Sequence, residues 1–240
     1  MGWLNPLTVL KMRYWEALQY PVDVVYILLG FVFSLVMGPL FWYLITNEIN
    51  LGGWHFNSVV LVYWVFISGI TIFDIFDIWT MTEELTTEKR RDLLTLFARP
   101  VDPLVLYLAQ RMDITSLLIY FVYIMFFLVY GFLTTPWFFV AVLSSHLMFL
   151  SLVVFMTAGL IAWGKQFKPA FSLILNYVYG SQFPLNKEVM SLFLVPVFLL
   201  VIYPVIAKGP SIWLLPGPIS LILAGLFWKL AKHHYHGEGE

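Results

Sequence analysis

Few side chains in this 240-residue chain could do chemistry. Asp74 and Asp77 stand three residues apart inside an apolar run, a spacing that puts both carboxylates on one face of a helix. An acid in hydrocarbon is costly and marks a functional position, such as a cation or proton site. Both lie within a turn or two of the run's end, so holding the following loop at the water interface is the plainer use. His146, beside Ser144 and Ser145, falls near the middle of another apolar run. It reads as a histidine hydrogen-bonded to a neighbouring helix, with a proton relay or ligand contact as the sharper alternative. His233, His234 and His236 form a tail able to bind a metal, although a solvated terminus explains them as well. Arg111 and Asp113 mark a water interface. The densest set is the charged interval 82–103, with four acids and four bases between Glu83 and Arg99.

The elements that position these residues are membrane spans. Hydrophobic residues make up 61% of the chain and charged residues only 11%, with a mean hydropathy of +0.86. Soluble domains carry about 25% charged residues, so the composition is that of an integral membrane protein. Runs of about 20 apolar residues cross a hydrocarbon core. Six are expected, over 22–46, 58–81, 112–133, 137–163, 188–207 and 212–231. They are continuously apolar and do not alternate, so the expected fold is all-α and not a barrel. They leave room for one transmembrane domain, 1–240. Residues 4–20 precede the first span with Leu7, Leu10, Tyr14 and Leu18 at helical spacing among Lys11, Arg13 and Glu16, as for a helix lying in the headgroup plane. These polar residues do not suit a cleavable signal peptide, so the first span is expected to stay as an anchor. The chain has no cysteine, which excludes disulfides and thiolate metal sites. Aromatic residues mark membrane borders or line an apolar path; sequence leaves both uses open.

Lys and Arg counts set the orientation. With the N-terminus inside, twelve of the thirteen fall on the cytoplasmic side and only Lys208 outside. Both termini are therefore expected in the cytoplasm of a cell-membrane protein. The interval 82–103 then becomes a cytoplasmic loop. Thr87 is a candidate N-cap, Glu88 sits in the first turn, and Pro100 and Pro103 close a helix of about three turns. Leu93, Leu94, Leu96 and Phe97 would anchor it against the membrane or the bundle, leaving Glu83, Glu84, Glu88, Lys89, Arg90 and Arg91 to water or a partner. A lipid-binding patch would show an excess of Lys and Arg; balanced charge suits a protein partner better, and a merely solvated loop is the bland reading.

The run from Glu88 through Arg90, Arg91, Leu93, Leu94, Arg99, Pro100 and Asp102 to Leu104, between the second and third spans, resembles the segment before the third span of type-2 ABC transporter permeases. Lys11 to Tyr20 looks like that family's interfacial helix. Phe183-Pro184-Leu185, Val195-Pro196 and Tyr203-Pro204 look like its Pro-rich fifth span. Many members have a Gly-containing turn where this chain has Thr86-Thr87. The resemblance implies the transmembrane subunit of an exporter that works as a dimer of identical or related chains. It also implies a coupling helix docked on a separate nucleotide-binding ATPase through Glu83, Glu84, Thr87, Glu88, Lys89, Arg90, Arg91, Leu93, Leu94, Arg99 and Pro100. ATP and Mg would be held by the partner, with no cofactor in this chain and no nucleic-acid partner. In keeping with that, the sequence has no Gly-x-x-x-x-Gly-Lys-Ser/Thr loop to cradle phosphates. It also has no His-Glu-x-x-His and no Gly-x-Ser-x-Gly, so an enzyme is not expected. The rival is a proton- or sodium-coupled secondary carrier using Asp74, Asp77 and His146. A membrane scaffold is a third option. Lipid-like, glycan and drug-like cargo all remain open.

Overall fold

A computed structural model describes residues 6–48, 56–86, 97, 101–134, 136–173 and 214–234. Among these residues the fold is all-helical, with no strand. Helix α1 spans Pro6–Gln19 and α2 spans Pro21–Glu48, while α3 (Phe56–Ile75) and α4 (Ile78–Thr86) share one apolar run. Then come α5 (Pro103–Arg111), α6 (Ile114–Leu133), α7 (Pro136–Trp163), a 3-10 turn over Gly164–Gln166, and α8 (Pro216–His234).

Four segments are long and apolar enough to cross a membrane: Val24–Phe41, Tyr63–Thr86, Ile114–Leu133 and Trp137–Gln166. They overlap the first four expected spans, the second and fourth running past the expected ends to Thr86 and Gln166. The expected fifth span, 188–207, lies outside the described residues. The expected sixth, 212–231, corresponds to α8, which is helical for 19 residues but is not one of the four. Lys229, Lys232 and two histidines near its end keep it less apolar.

Helix α7 is the central element. It packs along α8, α3 and α6. Phe73, Met81, Leu106, Met156 and Leu160 form the larger buried cluster, and Val65, Phe127, Phe138 and Val142 anchor a smaller one. Helix α2 is exposed along almost all of its length, and its apolar side chains are suited to lipid. On α1, Val9 is buried while Leu7, Tyr14 and Leu18 stay exposed.

Two features differ from the sequence expectations. The second span is not one helix, because the backbone turns at Phe76 and Asp77, and Asp77 adopts φ of 45°. Asp tolerates this left-handed conformation better than most residues. Asp74 and Asp77 therefore do not share a helix face, as their spacing alone predicts. Secondly, Pro103 opens a helix where the pattern has it closing one. Asp102 caps α5, accepting from the Leu104 and Val105 amides, and Pro103 takes the first turn, where its missing N–H costs nothing. Helix α4 also runs on through Thr82–Thr86, so the upstream part of the charged interval is helical rather than loop. The Thr82 and Thr86 hydroxyls donate back to the Ile78 and Thr82 carbonyls, and both side chains are buried.

Candidate functional site

The polar side chains converge at the end of the molecule where α1, α4, α5 and α8 meet. Arg13 on α1 donates from Nε to the Gln110 carbonyl at 2.8 Å and also reaches it through Nη2, while Nη1 pairs with Glu16 at 2.8 Å. Arg111, the last residue of α5, pairs with Glu84 on α4 and lies over the Tyr107 ring, 5.8 Å from its centre. The Asp113 carboxylate caps α6, and its amide donates to the Ile75 carbonyl at 2.6 Å. The carbonyl freed by the α3–α4 break is thus satisfied by the junction between α5 and α6, as a buried backbone group requires.

A groove of about 540 Å³ runs between α1, α2 and the α3–α4 and α5–α6 junctions, lined by Arg13, Glu16, Asp74, Asp77, Arg111 and Asp113 on its polar side and by Val24, Ile27 and Phe73 on its apolar side. Its charges are largely matched within the chain. Asp77 accepts from the Thr80 hydroxyl at 2.9 Å. Burial, and then the negative charge of Asp77, push the Tyr107 phenol above its ordinary value, so it stays protonated. Burial also lowers Arg111; Asp77 opposes that shift and Arg13 adds to it. The Tyr107 hydroxyl is buried with no partner among the described residues.

The sequence-identified residues fall into three groups. Glu83 is exposed on α4, while Glu84 is turned inward onto Arg111. Thr87, Glu88, Lys89, Arg90, Arg91, Leu93, Leu94, Leu96, Arg99 and Pro100 lie outside the described residues, as does His236. Phe97 and Val101 pack against the larger buried cluster, so of the two anchorings expected for Phe97, on the membrane or on the bundle, it makes the second. Asp74 and Asp77 line the groove, but His146 does not. It is buried between the Tyr120 and Phe127 rings, with Nε2 2.8 Å from the Ser68 hydroxyl. The three residues that a coupled carrier would need are not gathered in one cavity. His234 stacks near Trp163 and contacts the Leu230 carbonyl, and no group of three metal-ligating side chains occurs among the described residues.

One residue escaped the sequence reading. The Asp102 carboxylate accepts from Trp228 Nε1 at 3.1 Å to each oxygen and lies 3.3 Å from Lys232 Nζ. The Asp102-Pro103 pair is an N-cap signature that sequence alone could have supplied. The Trp228 bond, across 126 residues, left no sequence signal. No protein-family model, curated protein or solved structure matches this chain.

Proposed function

We propose that this chain is the membrane-embedded permease subunit of a type-2 ATP-binding cassette transporter, driven through residues 82–103 by a separate ATP-hydrolysing subunit. The observation that carries this reading is how the charged interval is held. Upstream, Leu85 and Thr86 are buried in α4 and Glu84 is tied to Arg111. Downstream, Phe97 and Val101 pack on the core and Asp102 is tied to α8. A merely solvated loop has no need of such flanks. A push on the segment would instead reach α4, α5 and α8 together, which is a rigid-body route to alternating access. Six crossings, both termini in the cytoplasm, a dimeric pathway and export belong to the same proposal.

Co-purification supplies the test. Full-length chain extracted with its native partners should bring down ATPase activity that co-elutes through size exclusion. Glu88→Lys combined with Arg91→Glu should lower that activity by about tenfold or more, because like charges would then face each other across the interface. ATPase activity that is absent with the native chain, or unchanged with the double reversal, would sink the proposal.

A further inference from the structure

We propose that Asp102 is a positioning residue through which movement of the charged segment is delivered to the C-terminal helix α8. The inference rests on the docking reading above and adds an output to it. Asp102 follows Pro100 by two residues, and its one carboxylate serves two elements. It caps α5 through the Leu104 and Val105 amides, at 3.0 and 3.4 Å, and accepts the Trp228 indole N–H of α8. Trp228 is 7% exposed, so losing Asp102 would leave its N–H poorly compensated. Lys232 adds less, since its side chain is 46% exposed and such pairs are screened. The indole bond is therefore the tie, and the ammonium its auxiliary.

Helix α8 is in turn fastened to α7 along its length. The Ser144 hydroxyl donates to the Leu214 carbonyl at 2.7 Å and accepts from the Gly217 amide at 3.2 Å. A Cβ at position 217 would run into the Ser144 backbone, so the helices meet there at glycine distance. Further on, Phe227 packs on Phe155 and Trp163, with ring centres 4.2 and 5.5 Å apart. Displacing Asp102 must therefore drag α8 against α7 or strip a buried indole of its acceptor. A cap alone would need none of this, since Asn or Ser serves an N-terminus about as well.

Trp228→Phe tests the tie, because it removes the N–H donor and keeps an aromatic ring at the site, the smaller phenyl giving up part of the indole's packing. In the chain by itself this variant should raise amide exchange in the first turn of α5 by about tenfold, the equivalent of one hydrogen bond. Asp102→Asn, which keeps the cap and one acceptor for the indole, should stay within about threefold of the native chain. Unchanged exchange in Trp228→Phe overturns the tie, whatever the fate of the docking reading. In the complex with the co-purified ATPase, ATP plus vanadate should change exchange across α8 by about fivefold or more in the native chain. The same change should vanish in Trp228→Phe with basal ATP hydrolysis kept within about twofold. A nucleotide response of α8 that survives Trp228→Phe overturns the transmission role. Failure to recover any ATPase removes the docking reading, and transmission with it.

Discussion

His146 and Ser68 form a hydrogen-bonded pair whose proton placement follows from geometry. The Ser68 hydroxyl donates to the Val65 carbonyl at 2.9 Å, so its oxygen is left to accept, and the imidazole must donate from Nε2. Nδ1 is then a bare acceptor, buried and without a partner among the described residues. Ser68→Ala should cost about 1 kcal/mol, near the average for polar contacts between spans and raised by the stranded N–H. Adding His146→Leu to Ser68→Ala should recover most of that loss, because removing both partners is cheaper than orphaning one. Equilibrium unfolding in mixed detergent micelles measures both; a double variant less stable than Ser68→Ala would contradict this account. Sequence made His146 legible as a histidine bonded to a neighbouring helix. Its partner was not legible, because Ser68 is 78 residues away and serine carries no positional signal inside an apolar run.

Element boundaries were legible where an apolar run ended in a turn signal. They were obscured where a run was interrupted from within. Where the third and fourth spans are expected, at 112–133 and 137–163, the structure has helices over Ile114–Leu133 and Pro136–Trp163, because Asp113 and Pro136 punctuate them. The break between α3 and α4 has no such mark, since neither Gly nor Pro stands there and Asp77 alone bears the positive φ. The expected i, i+3 face shared with Asp74 failed for that reason. Helix α5 was hidden differently, as Pro103 reads equally as a stop or as a first-turn residue. What holds these short helices together is the Glu84–Arg111 pair, whose side chains are only 25% and 20% exposed. Partial burial places the pair between a screened surface bridge and a fully desolvated one. Arg111→Glu should therefore destabilise the chain by about 2 kcal/mol, since it leaves two acids facing each other. Combining it with Glu84→Arg should restore about half of that loss. Thermal unfolding of the four-member cycle reads the coupling, and strictly additive losses would mean that the pair does not position α4 against α5.

Two long-range contacts of α5 bear on the topology of the whole molecule. Arg13 of α1 bonds to Gln110 at one end of α5, and Lys232 of α8 reaches Asp102 at the other. A nine-residue helix is about 14 Å long, well short of a hydrocarbon core of about 30 Å, so these contacts support the even number of crossings in the six-crossing proposal, with α1 and the end of α8 on one side of the membrane. Helices α7 and α8 also run parallel, from the Ser144–Leu214 contact to the Trp163–His234 contact. Trp163 and Leu214, the flanks of the interval between them, therefore lie at different depths along α7, as a further crossing at 188–207 would require. Composition pointed to a membrane protein, and the apolar runs with the Lys and Arg asymmetry to six crossings, but only long-range contacts tie the two ends together. Because the chain has no cysteine, single substitutions test this without background. Lys11→Cys and His233→Cys should react with a membrane-impermeant maleimide from the same side of sealed vesicles, and Lys208→Cys from the other. Labelling of Lys11→Cys and His233→Cys from opposite sides would break the parity and, with it, the six-crossing reading.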